Sequence, residues 1–169
     1  MERVDSSADR ELRYIFGEKS AIRTSARFDN CTVCVIKPHL VQEKKVGRVV
    51  DMILSAGFEI SALELFNLDK PTATEFLEVY RGVLPEYSSI IDHMVSGPCI
   101  ALEIRQENAV EKFRELCGPH DPEIARALRS GTIRAQFGHD RVRNGVHCTD
   151  LPEDGTLESE YFFNILQSK

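Results

Sequence analysis

His147 sits among groups that suit it to phosphoryl chemistry: Asn144 before it, Thr149 and Asp150 after it, and Glu158 further on. A histidine flanked by an amide, a small hydroxyl and two carboxylates can attack a phosphoryl group. The attacking ring must be neutral, because imidazolium has no lone pair to offer. An unperturbed imidazole pKa of ~6.5 keeps that form available near neutrality. Arg114 and Arg134 fall on separate predicted elements. Two guanidiniums so placed can grip a phosphate bidentately and offset charge during its transfer. Lys37 ends a β-branched run, where its ammonium can reach a phosphate or a ribose hydroxyl. Taken singly, each has an ordinary reading: a core histidine, surface arginines, a solvated lysine, a turn asparagine. Their joint occurrence carries the argument.

The elements that must position these residues alternate in period. Thr32 to Lys37 reads as a buried strand. Val46, Val49, Val50, Ile53 and Leu54 recur at helical spacing, and Gly57 stops that helix. From Phe58 to Phe66, apolar residues broadly alternate with Glu59, Ser61 and Glu64, predicting a second strand. Thr72 to Tyr80 and Tyr87 to Val95 predict two helices, and Cys99 to Ile104 a third strand. Asn108 is placed to cap a helix whose apolar face is Val110, Phe113 and Leu116. Glu123 to Leu128 predicts a short helix, Thr132 to Phe137 a fourth strand carrying Arg134, and Leu157 to Leu166 a terminal helix. This order predicts an α+β fold, a ferredoxin-like four-stranded antiparallel sheet (βαββαβ) covered by helices. Residues 1–30 read as a charged N-terminal arm or linker and residues 31–169 as the compact domain. The arm's Leu12, Tyr14, Ile15 and Phe16 form either a docking patch or part of a disordered tail.

Composition excludes several classes. At 169 residues and 42% hydrophobic, the chain has one domain's worth of core. A net charge of −6 argues against an extended nucleic-acid groove, though not against a nucleotide. No apolar stretch approaches membrane-spanning length, and the charged start argues against a secretory signal. Five cysteines, an odd number, fit free thiols in a reducing compartment. Cys31 and Cys34 have the spacing of a redox pair, but residues i and i+3 on a strand face opposite sides. They read as structural thiols.

The segment Asn144-Gly145-Val146-His147-Cys148-Thr149-Asp150 resembles the active-site segment of the nucleoside diphosphate kinases, usually Asn-x-x-His-Gly-Ser-Asp. Lys37-Pro38 resembles the start of that family's Lys-Pro-Asp-Gly. Gly118-Pro119-His120-Asp121-Pro122 resembles its Gly-x-Thr-Asn-Pro, and Ser130 to Arg134 its Pro-Gly-Thr-Ile-Arg. The resemblance covers about residues 31–163. It implies the nucleoside diphosphate kinase type of fold and transfer of the γ-phosphoryl of a nucleoside triphosphate through a phosphohistidine at His147 to a nucleoside diphosphate. In that scheme Glu158 holds the other ring nitrogen. Lys37, Tyr80, Arg114, His120, Arg134, Asn144 and Thr149 contact the nucleotide. Asp150 orders water around Mg²⁺ carried by the phosphates. The base-stacking position falls on Glu86 or Tyr87, and only Tyr87 has a ring to offer. Where the family has glycine after the histidine, this chain has Cys148, which would be strained if the turn needs positive φ.

His147 to Gly155 and Asp121 to Arg126 resemble, more narrowly, the divergent multidomain branch associated with cilia and flagella, in particular the second kinase domain of its member-seven type. That likeness implies a cytoplasmic place in the cilium or axoneme, with microtubule, axonemal or γ-tubulin complex proteins as partners. It also implies a rival role: a weakly active or inactive kinase-like domain serving as a structural part of such an assembly. No membrane or nucleic-acid partner is expected.

Overall fold

The computed structural model describes residues 6–16 and 24–168. In the arm, α1 spans Ser7–Phe16 and leaves Leu12 exposed. The side chains of Tyr14, Ile15 and Phe16, and with them the expected docking patch, lie outside the described residues.

The sheet is built on β1 (Cys31–Ile36), whose every residue is buried. Its alternating side chains feed two separate cores. Cys34 and Ile36 pack on one face with Val49, Ile53 and Phe113, while Val33 and Val35 pack on the other with Phe162 and Phe163. A strand covered on both faces needs a continuous apolar run, which is what Cys31 to Ile36 supplies. The partners are β2 (Glu59–Phe66), β3 (Cys99–Arg105) and β4 (Val146–Cys148), in the order β2-β3-β1-β4. All pairings are antiparallel, with Val33 opposite Glu103 and Val35 opposite His147. This is the expected ferredoxin-like sheet. All five cysteines are free.

Helices cover both faces: α2 (Pro38–Gln42), α3 (Val46–Ser55), α4 (Lys70–Phe76), α5 (Tyr87–Met94), α6 (Ala109–Cys117), α7 (Pro122–Leu128), α8 (Ile133–Phe137) and α9 (Gly155–Glu160). Beyond α9 the chain continues as a π-helical turn over Tyr161–Ile165. Phe113, Phe162 and Phe163 are at most 1% exposed. Truncating any of them to Ala would cost about 3–5 kcal/mol.

The fourth strand is not where the alternation of Thr132 to Phe137 puts it. That stretch is α8, and β4 lies at Val146–Cys148. Over so few residues Ile133, Ala135 and Phe137 satisfy a period of two, while Ile133 and Phe137 also satisfy i,i+4. The helix is closed by the Gln136 N–H donating to the Thr132 carbonyl at 3.1 Å. Arg134 therefore rises from a helix, not a strand. Asn108 also differs from expectation: it precedes α6 in left-handed conformation (φ 56°) and makes no side-chain cap.

Candidate active site

β4 is only three residues long, and its placement sets the site. Gly145 enters it at φ +94°, a conformation that strains any residue with a Cβ, and its carbonyl accepts from the Lys37 N–H at 3.0 Å. The strain expected at Cys148 is absent. Cys148 lies on the strand and is not among the positive-φ residues, so the turn's special geometry falls on Gly145 instead.

His147 is 7% exposed, and its Nε2 lies 2.8 Å from Glu158 Oε2. The Thr149 hydroxyl donates to the same oxygen at 2.9 Å and receives the Thr32 hydroxyl at 2.9 Å. An ionised carboxylate only accepts, so Nε2 carries a proton, and in the neutral ring Nδ1 keeps its lone pair. Nδ1 makes no hydrogen bond among the described residues. The ring's edge packs against Phe76, with centroids 4.8 Å apart.

A cavity of about 340 Å³ opens onto this ring. Its polar wall comprises Lys37, Tyr80, Arg114, His120, Arg134, Asn144, Cys148 and Asp150. Its apolar wall includes Leu77, Leu84, Ile90 and Met94. Arg134 is buried, donating to the Gly118 carbonyl at 2.9 Å and to Cys148 Sγ at 3.4 Å, while its Nε has no partner. Lys37 donates to the Val142 carbonyl at 2.9 Å. Burial, together with the Arg134 charge, lowers its pKa to about 7. Arg114 pairs with Asp150, which also accepts from the Tyr80 hydroxyl at 2.6 Å. Burial and the Asp150 carboxylate push the Tyr80 hydroxyl well above its ordinary pKa, so it remains a donor.

Asn144 is 1% exposed, and its Nδ2 donates to the His120 carbonyl at 3.1 Å while Oδ1 stays unpartnered. Burial and the Arg134 charge lower His120 to about 4, so the ring is neutral at pH 7, and its buried Nε2 is unpartnered too. Buried polar atoms ordinarily find partners. Two residues of the cavity wall thus each hold a buried polar atom without a partner.

The structure thus gathers Lys37, Tyr80, Arg114, His120, Arg134, Asn144, His147 and Asp150 around one cavity. It does not bring Tyr87 or Thr149 there. Tyr87 packs into the second core, with its hydroxyl buried and the Arg81 guanidinium 5.9 Å from the ring centre. Thr149 is fully buried and turned to Glu158. Phe76 and the apolar wall escape sequence reasoning. They read there as ordinary apolar positions, and only the tertiary fold turns Phe76 onto His147 and the others toward the cavity.

A ferredoxin-like sheet that presents a carboxylate-held imidazole to a cavity lined by basic side chains has the charge and shape to receive a phosphate group. Comparisons with known proteins narrow this further. The family model described as "Nucleoside diphosphate kinase" matches residues 30–167, and the chain belongs to that family. It is 51% identical over 164 residues to rat "Nucleoside diphosphate kinase homolog 7", covering 96% of this chain and 42% of that protein. It thus spans less than half the length of that relative. Against the Aquifex aeolicus nucleoside diphosphate kinase, identity is 35% over 136 residues, covering 80% of this chain and 95% of the relative. A crystal structure of the Aquifex aeolicus enzyme superposes with a TM-score of 0.76 at 34% identity, covering 82% of this chain and 97% of that one.

Proposed function

We propose that this chain transfers the γ-phosphoryl group of a nucleoside triphosphate to His147 and then to a nucleoside diphosphate. The observation that carries the reading is the His147–Glu158 pair, which leaves Nδ1 unbonded at a cavity walled by Lys37, Arg114 and Arg134. The Nδ1 lone pair forms a bond to the γ-phosphorus as the bond to the β–γ bridging oxygen breaks, and the diphosphate leaves with that electron pair. Glu158 stabilises the positive charge that develops on the ring, since Nε2 keeps its proton. The arginines offset charge on the phosphoryl oxygens. Reversal onto a second diphosphate restores the neutral imidazole.

Among the described residues no cluster of His, Cys, Asp or Glu could hold a metal ion. Asp150 is the sole carboxylate lining the cavity, and it is already engaged by Arg114 and Tyr80. Mg²⁺ would be held by the phosphates themselves, and Asp150 would be the residue to accept from its water. Such an ion would neutralise charge on the β- and γ-phosphates.

A second reading makes the domain a structural part of a cytoplasmic axonemal, microtubule or γ-tubulin assembly, with the cavity as a ligand-stabilised relic. Two observations favour it. Arg114 is occupied by Asp150, and among the described residues the cavity lining holds no Phe and no tyrosine other than Tyr80 to stack on a base. Incubation of the chain with labelled ATP, Mg²⁺ and a diphosphate acceptor, beside His147→Ala, decides between them. Acid-labile label on the wild type and labelled triphosphate product are expected. Nucleotide binding without transfer would sink the enzyme reading.

A further inference from the structure

Glu103 is a carboxylate in the middle of β3 with no solvent exposure and no cationic partner among the described residues. Its oxygens are satisfied by donors from three segments. Oε1 accepts from the Arg27 N–H and the Ser61 hydroxyl, each at 2.6 Å. Oε2 accepts from the Phe28 N–H at 3.1 Å and the Ser159 hydroxyl at 2.6 Å. Burying a charge in a sheet core costs stability that an apolar side chain would avoid. What the four bonds supply is placement.

The element placed is α9. It is six residues long, has no side-chain N-cap and runs into a π-helical turn, so its own backbone fixes its position poorly. Among the contacts that seat it are Gly155 close against the Cys31 carbonyl, Thr156 beside the Cys31 sulfur, Ser159 on Glu103, and Phe162 and Phe163 of the following turn in the core. Ser159 directly follows Glu158, whose oxygen lies 2.8 Å from His147 Nε2. We propose that Glu103 is a positioning residue for His147: through Ser159 it seats α9 so that Glu158 meets the imidazole, and through the Arg27 and Phe28 N–H groups it couples the incoming N-terminal segment to that pair. The proposal deepens the phosphohistidine reading and rests on it for its kinetic consequence.

The test uses the full chain and the variants Glu103→Gln, Ser159→Ala, Ser159→Thr and Arg27→Pro, the last deleting one N–H donor. Imidazole nitrogen resonances report whether His147 holds one tautomer, and rapid mixing with labelled ATP reports phosphorylation. In Ser159→Ala and Glu103→Gln the single tautomer gives way to a mixture. Phosphorylation slows roughly tenfold at saturating nucleotide, while nucleotide affinity holds within about twofold, because misplacement of a reacting group costs rate rather than binding. Ser159→Thr restores both signals, and Arg27→Pro shows a smaller loss. Should Glu103→Gln fail to fold, the Ser159 pair decides. Wild-type resonances and rates in folded Ser159→Ala would overturn the proposal, as would affinity falling in step with rate. If the wild type takes no label at all, the phosphohistidine reading fails, and the nitrogen resonances still judge the positioning claim.

Discussion

Cys148 differs from the other four thiols in both place and charge. It alone lines the cavity, and its sulfur accepts from Arg134. The Cys117 thiol beside it, with the Arg134 and Arg114 charges, outweighs burial and lowers it to about 5. Burial instead raises Cys31 to about 11 and Cys99 to about 12, and pushes Cys34 and Cys117 up as well. Iodoacetamide should therefore label Cys148 first, at a rate nearly flat from about pH 6 to pH 9, because the thiolate is already formed. ATP with Mg²⁺ should protect it. Peptide mapping that finds label spread evenly over the five cysteines would contradict this. At His147 the prediction concerns orientation. Glu158→Gln keeps the size but loses the charge that stabilises the imidazolium-like ring, so phosphorylation should slow by roughly 10²-fold or more, with nucleotide affinity kept. These residues were legible in the sequence because the attacking group and its neighbours share one short segment. Phe76 and Glu103 were not, since an aromatic on a helix face and a carboxylate in a strand acquire their roles only from what packs across them.

At the scale of elements, the site depends on two short pieces, β4 and α9, pressed onto β1. Gly155 begins α9, and a Cβ there would lie 2.6 Å from the Cys31 carbonyl oxygen and 2.9 Å from Val110. Gly155→Ala must push the helix off the sheet, costing about 1–3 kcal/mol in chemical denaturation, with slowed phosphorylation as Glu158 withdraws. Glu103 adds a pH dependence. Burial pushes its carboxyl up, but the Ser159 and Ser61 hydroxyls and the Arg27 and Phe28 N–H groups outweigh this and leave its pKa below the ordinary value. A carboxyl lowered on folding contributes stability fully above its unfolded pKa of ~4.3, and that contribution fades as pH falls through the lower folded value. Urea midpoints should fall on acidification in the wild type and fall less in Glu103→Gln. Long elements with a single period were readable: β1, α3, β2, β3 and α6 fall within a few residues of their predicted spans. The exchange of β4 for α8 has a physical cause. A five-residue helix and a three-residue strand are too short for either period to show, and β4 owes its existence to pairing with β1 rather than to its own pattern.

For the molecule as a whole, the surface and the cavity carry opposite signs. The chain bears a net charge of −6, yet the cavity sets Arg114, Arg134 and a Lys37 that is part-protonated near neutrality against Asp150 and the Cys148 thiolate. A concave site with a local excess of cations attracts a polyphosphate that the rest of the surface repels. Occupancy should then be visible as stability, because a ligand that binds only the folded chain stabilises it by RT ln(1 + [L]/Kd), about 2.7 kcal/mol at 100 times Kd. For a domain of this size that corresponds to a rise in Tm of about 5–11 °C. The shift separates gripping from reacting. His147→Ala removes the attacking nitrogen but none of the cations, so it should keep most of the shift while taking no label. Arg114→Ala leaves His147 in place but loses a phosphate donor, so it should lose much of the shift as well as rate. A scaffold whose cavity survives only for ligand-dependent stability would give the same pattern of shifts with no label on any variant. A cavity that no longer receives nucleotide would give no shift with Mg²⁺ and ATP even in the wild type, and that result would remove both readings of the site together.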